Sequence, residues 1–260
     1  MTAIWFCVTL RVMTAASLRA RVRAQLTDEI KAAARRHLAT DGANLSLRAV
    51  ARELGMVSSA LYRYFPSRDH LLTALIIDAY NALGSAAEAA AAAAERADPL
   101  GRWLAACHAV RDWALANPYE YALIYGSPVP GYQAPQDTVP AATRVPLVIG
   151  AILRDATAGA AVPADQPLAE PLRREVAAVR DVAAPGVPEE IFARGLTAWI
   201  QLFGAVSFEV FGQLNNTINE RRTFFDHQMR TMAALIGLPG TGTGTASRGR
   251  RPPRAGRTAR

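Results

Sequence analysis

The chain is poor in the residues that build covalent, metal and catalytic chemistry: 260 residues hold two cysteines, four histidines and a single lysine. Cys7 and Cys107 are far apart in sequence, which argues against a disulfide framework and suits a reducing compartment. His37, His70, His108 and His227 form no i, i+4 pair and have no cysteine at ligand spacing, so no metal site is expected. There is no GxGxxG, no phosphate-binding Gly-rich loop, no HExxH and no GxSxG elbow, and the acidic residues are scattered along helix faces. The expectation is a protein that is not an enzyme, with no catalytic residues and no cofactor. Long apolar runs are scarce as well. The opening MTAIWFCVTLRVMTAASL lacks a charged n-region, and its apolar run is too short to span a bilayer. No other segment reads as a membrane span, so a cytoplasmic protein without membrane partners is expected. Residues 1–18 read as a disordered extension in which Met13 is a second candidate start.

What the chain has in quantity is arginine, 28 against the one lysine Lys31, a ratio that reflects base composition before function. Its distribution carries more. Residues 1–70 hold 11 basic and 5 acidic side chains, 71–247 hold 12 and 17, and 248–260 hold 6 and none. Positive charge therefore sits at the two ends, as a phosphate-binding face requires, while the middle is acidic.

The basic N-terminal region contains SLRAVARELGMVSSALYRYF, residues 46–65. Leu47, Val50, Ala51 and Leu54 fall at i, i+3, i+4 and i+7, opposite Arg48, Arg52 and Glu53. Gly55 stands where a chain leaving a helix needs positive φ, and Ser58 or Ser59 offers an N-cap to the next helix. The pattern is a helix-turn-helix, whose second helix lies in the DNA major groove. Ahead of it, Val22, Leu26, Ile30, Ala33, Ala34, His37 and Leu38 step along one face of a helix from Ala20 to about Thr40, stopped by Asp41-Gly42. This is the third wall of a three-helix domain.

Leu61-Tyr62, Tyr64-Phe65, Pro66 and Arg68 in GMVSSALYRYFPSRDHLL resemble the recognition-helix signature of the tetracycline-repressor-like (TetR/AcrR) bacterial regulators, without gaps from about Leu26 to Leu72. The resemblance implies double-stranded operator DNA as partner. It assigns Ser46 to capping the first of the two helices or to a phosphate, Arg48 to a phosphate or a guanine edge, Val57, Ser58 and Ser59 to the groove, Tyr62 and Tyr64 to phosphate, and Arg68 to a phosphate at the next helix's start. Arg63 stands where the family often has His or another aromatic. Arg19, Arg21 and Arg23 sit where the family has an arm approaching the minor groove; solvated charge on a helix end is the competing reading.

Ser67-x-x-His70 caps a long helix to about Arg96, the family's link to a regulatory domain. A helix after Asp98-Pro99 is broken at Asn117-Pro118, and the loop 126–140 is rich in Pro and Gly. Helices follow from about Ala141 to Ala156 and, after Gly/Pro punctuation at 159–167, from Leu168 to Val182. Trp103, His108, Tyr121, Tyr125, Trp199 and Phe203 each read singly as core. Together, as the resemblance implies, they line a pocket for a small apolar or aromatic effector.

Glu189 to Leu214 is the most apolar long helix and must be buried on two sides; with Phe224 to Leu238 it forms an antiparallel pair. In the family such a pair makes a homodimer, here through Trp199, Val206, Val210, Leu214, Met229, Met232 and Leu235. Trp199, Gly204, Glu209 and Gly212 are also similar to a regulatory-domain subclass named for Trp-His-Gly, with Phe203 in place of its His.

The whole reads as all-α: a three-helix helix-turn-helix DNA-binding domain (19–66), a larger helical ligand-binding and dimerisation domain (67–238) and a disordered Arg-rich tail (239–260). The expected function is a ligand-responsive repressor that binds a palindromic operator as a homodimer. The rivals are an architectural, non-specific DNA binder using the tail, and a ligand-binding protein with a vestigial helix-turn-helix.

Overall fold

The computed structural model describes residues 15–41, 45–158 and 167–238. The first fourteen residues, Gly42 of the expected helix stop, most of the 159–167 punctuation and the tail after Leu238 lie outside them. Among the described residues every regular element is helical: α1 (Ala15–Asp41), α2 (Leu47–Glu53), α3 (Ser58–Leu61), α4 (Arg68–Ala93), α5 (Pro99–Ala116), α6 (Pro118–Tyr125), α7 (Val139–Ala142), α8 (Arg144–Thr157), α9 (Glu170–Ala183), α10 (Glu189–Val210) and α11 (Arg221–Ile236). They form two compact units, one made of residues up to Asn81 with Asn117–Ala141, the other of Ala82–Ala116 with the chain from Ala142 onward.

The first unit is built on α1. Ile30, Ala33, Ala34 and Leu38 recur at helical spacing and are buried against Leu47, Val50 and Ala51 of α2, Leu61 of α3, and Leu71, Leu72 and Leu75 of α4. Val22, expected on the same apolar face, is exposed because α1 extends past the core at that end. The chain resumes as a helix directly after the Asn117-Pro118 break, since Pro118 is tolerated in the first turn. This α6 joins the first unit through charge. Arg35 of α1 bridges Asp78 of α4 and Glu120 of α6, each at 2.8 Å, and Lys31 adds a 2.9 Å contact to Asp78. Tyr132 in the following loop shares a 2.9 Å hydrogen bond with Thr73.

The second unit packs α5, α8, α10 and α11 around Trp103, Cys107, Val110, Ile149, Ile152, Leu153, Ile191, Leu202, Val206, Phe225 and Met229. Gly195 lets α10 lie on Leu153: a Cβ there would sit 2.5 Å from Leu153 Cδ1. An 18-residue stretch of the 22-residue α10 has a mean hydropathy of 1.3, which meets the length and apolarity of a membrane span that the sequence reading had found nowhere. Burial of its inner face accounts for part of that composition. Ile191, Phe192, Ala198, Leu202, Phe203, Ala205 and Val206 all face the protomer's interior. α10 also stops at Val210, short of the expected Leu214, and the chain turns at Gly212.

Candidate nucleic-acid interface

The helix-turn-helix is specified locally. Ser46, in extended backbone, accepts the Ala49 N–H on its hydroxyl at 3.4 Å and so caps α2. At the other end Gly55 N–H donates to Arg52 O and Met56 N–H to Ala51 O, with Gly55 at φ +64°: a Schellman closure in which a side chain at Gly55 would be strained. The N-cap of α3 is Val57, not Ser58 or Ser59. Ser58 is already helical, and no side chain bonds to the helix start. α3 is a single turn, held from beneath by the fully buried Leu61, with Phe65 buried just beyond it.

Burying that inner face leaves the other exposed. Val57 is 71% exposed and Tyr62 43% exposed. Ser46, Arg48, Ser59 and Arg63 are also exposed, while Ser58, Tyr64 and Arg68 are half-buried. Arg68 opens α4 with its guanidinium 3.8 Å from Asp69, next to a cap in which Ser67 Oγ accepts the His70 N–H. The outer face thus presents three arginines, hydroxyls and one bare valine, the chemistry of phosphate binding and of contact with a thymine methyl.

α1 grips this motif at two places. Arg36 contacts Glu53 Oε1 of α2 at 2.6 Å, and His37 Nε2 lies 2.9 Å from Oε2. The Arg36 hydrogen bond holds the Glu53 carboxyl below its usual range, with burial opposing. Arg23, expected near the minor groove with Arg19 and Arg21, is turned onto the end of α3, over the Tyr64 ring.

The six pocket candidates divide between the units. Tyr121 is fully buried in the first unit, its ring 5.2 Å from that of Tyr125, which meets Tyr80 edge-on at 6.0 Å. Burial, with Tyr80 and Tyr121 alongside, pushes the Tyr125 hydroxyl far above the ordinary phenol range. In the second unit Trp103 is core, its indole N–H donating to Met229 O at 2.8 Å. His108 Nε2 lies 3.1 Å from Asp226 Oδ1, and Trp199 meets Phe203 edge-on at 6.0 Å. The buried Trp199 Nε1 and His108 Nδ1 have no hydrogen-bond partner among the described residues. None of the six lines the groove of about 780 Å³ between α9, α10 and α11, whose walls include Leu172, Val176, Leu196, Thr197, Ile200 and Leu235.

Two of the expected dimer-interface residues are corrected. Val206 and Met229 are fully buried within their own protomer, because the α10 and α11 faces that carry them close on α5. Val210, Leu214, Met232 and Trp199 are half-buried, and Leu235 is exposed. The sequence reading also missed the Arg111–Glu209 pair joining α5 to α10. Its two hydrogen bonds are 2.7 and 2.5 Å long, and the side chains are only 8% and 5% exposed. The signal was present: each charge interrupts an apolar stripe, and two such interruptions of opposite sign call for one another.

A buried inner face, a Schellman turn and a basic outer face define a helix-turn-helix DNA-binding protein that also carries a second, helical unit. Residues 30–75 match the family described as "Bacterial regulatory proteins, tetR family", and residues 103–232 match "Tetracyclin repressor-like, C-terminal domain". The chain belongs to the TetR family of bacterial transcriptional regulators. It is 39% identical over 243 residues to the HTH-type transcriptional regulators Rv1816 of Mycobacterium tuberculosis (strain ATCC 25618 / H37Rv) and Mb1846 of Mycobacterium bovis, covering 88% of this chain and 98% of each relative. Among solved structures SCO4313, described as a regulatory protein, superposes with a TM-score of 0.69 at 34% identity, over 83% of this chain and 98% of that one. A TetR regulator from Shewanella sp. PV-4 shares the fold at 21% identity and a TM-score of 0.52. Membership makes the chain a DNA-binding regulator and not an enzyme; such regulators are generally cytoplasmic and typically act as dimers with small-molecule effectors.

Proposed function

We propose that the chain is a ligand-responsive repressor that binds a palindromic operator as a homodimer. The observation that carries this reading is the outer face of α2 and α3, where Arg48, Val57, Ser59, Tyr62 and Arg63 are exposed above a fully buried inner face. Ser46, Ser58, Tyr64 and Arg68 complete the contact set. A palindrome follows from symmetry, since two identical recognition helices related by a two-fold axis read two inverted half-sites.

The dimer surface is the outward stripe of α10. Ile200 is 63% and Phe208 57% exposed, and with Thr197, Gly204 and Phe211 they form a row without a single charge. Leu235 of α11 extends it. The row is self-complementary. Gly204 lies midway between Ile200 and Phe208, so a two-fold axis at Gly204 sets the Ile200 of each copy beside the Phe208 of the other. Trp199, Val210, Leu214 and Met232 are half-buried and lie off this row.

The effector is a small apolar or aromatic molecule with a hydrogen-bond acceptor. The buried, partnerless indole N–H of Trp199 supports this. Binding favours a dimer geometry in which the recognition helices no longer match the operator, so release is a population shift. α4 has residues in both units and is the element through which that shift travels.

The test is binding to the DNA upstream of the protein's own gene against scrambled DNA of equal length, across a salt series. A strong preference for the upstream fragment, lost in Arg48→Ala and Tyr62→Ala, is the expected result. Equal binding to both fragments, abolished by deleting residues 239–260, would instead make the chain a non-specific binder that uses its arginine tail.

A further inference from the structure

We propose that Arg23 is a positioning residue for operator recognition: it holds the C-terminal end of the recognition helix from α1 and does not itself bind DNA phosphate. The inference rests on the operator-specific reading above. Its starting point is a weakness in α3. A helix of four residues has no stability of its own, and Val57 gives its start no side-chain cap. Leu61 and Phe65 anchor the segment in the core, and the exposed turn Tyr62–Arg63 between them is the part that meets the groove.

Arg23 lies at that turn. Its Nη2 donates to the carbonyl of Arg63 at 3.3 Å, and its guanidinium carbon is 5.2 Å from the centroid of the Tyr64 ring. Both contacts suit a cation. The carbonyls at a helix C-terminus are unpaired and carry partial negative charge, and an aromatic face attracts a guanidinium. Tyr64 also packs against the core of the first unit, so the tie from Arg23 fixes ring and carbonyl together. Arg35 and Arg36 of the same helix meet carboxylates instead. Arg23 reaches the end of α3, across 40 residues of sequence. A guanidinium committed to a carbonyl and a ring sets the angle at which Arg63 and Tyr62 meet the groove.

Positioning and phosphate binding leave different signatures. The full-length chain and its Arg23→Ala, Arg23→Lys and Tyr64→Leu variants, and the Arg23→Ala/Tyr64→Leu double variant, are titrated with upstream and scrambled DNA across a salt series. Circular dichroism confirms that each is folded. Arg23→Ala is expected to lower affinity for the upstream fragment about threefold to tenfold while leaving scrambled DNA, and the salt slope on it, unchanged. Arg23→Lys restores most of the loss, because an ammonium still reaches the ring and the carbonyl. The double variant loses no more than the worse of the two single ones, the non-additivity of a shared contact. A salt slope that falls by about 0.9 for each lost contact on both DNAs, with the preference intact, would make Arg23 a phosphate ligand and overturn the proposal. So would additive losses, or an Arg23→Ala protein indistinguishable from the unaltered chain. If the unaltered chain itself shows no preference, operator reading and proposal fall together, and that failure is visible before any substitution is made.

Discussion

Arg111 and Glu209 show how much a single residue can carry. A guanidinium and a carboxylate taken almost wholly out of water lose several kcal/mol of hydration each, and they recover it only by meeting one another with both hydrogen bonds made. The arrangement is completed by the Phe225 ring, 5.7 Å from the guanidinium carbon, and by Asp112, which also receives Arg222. Removing one partner strands the other. Glu209→Ala is expected to cost about 3–5 kcal/mol of stability, read as a loss in urea midpoint at unchanged slope. The double replacement Arg111→Met/Glu209→Leu should recover most of it, because an apolar pair of similar volume needs no hydration. Each charge was visible in its stripe; that the two face one another was not, because 98 residues separate them and only the packing of α5 on α10 makes them neighbours.

At the scale of the helix, α10 decides most. Its inner positions are filled by the protomer, and its outer row of Thr197, Ile200, Gly204, Phe208 and Phe211 is not. Gly204 is the informative position. Glycine inside a helix costs about 1 kcal/mol relative to alanine, and a Cβ built at Gly204 meets nothing within 4 Å in its own chain. Within the protomer alone Gly204→Ala would therefore be stabilising. If two copies cross there, a larger side chain must push them apart. Gly204→Ile is expected to shift sedimentation toward the monomer while the protomer stays folded; a dimer undisturbed by it would place the interface elsewhere. The sequence reading found both helices of this pair, yet it put Val206 and Met229 on the outside. Apolar character alone does not say which side of a helix that is apolar nearly all round meets its own core. The same limit applies at Val57: serines make better N-caps, but the Schellman turn at Gly55 brings the chain back into helix one residue sooner.

For the molecule as a whole, charge decides stability at low pH. A hydrogen bond from His108, then one from Arg230, holds the Asp226 carboxyl below its ordinary 3.8. Arg102 does the same for Asp155, ordinarily 3.8, and Arg144 for Glu88, ordinarily 4.5. In each case the folded value lies below the unfolded one. The stability they contribute is complete above about pH 4.5 and is lost as pH falls through the lowered values. Melting temperature should be level with respect to these groups above pH 5 and decline below pH 4, and Arg144→Leu should make that acid decline shallower. All three carboxylates belong to the second unit, so its helices are expected to be the ones that respond. By itself the sequence determined the all-α class, the helix-turn-helix with its cap at Ser46 and left-handed glycine at Gly55, and the family. These depend on spacing within a few turns of helix, and local backbone chemistry settles them. The tertiary structure alone decided that α6 is clamped to α1 by Arg35, that Arg23 ties down the recognition helix, that Arg111 meets Glu209, and which face of α10 is left bare. Each of these joins residues far apart along the chain, and pairing of that kind is set by how helices pack, which no local pattern encodes.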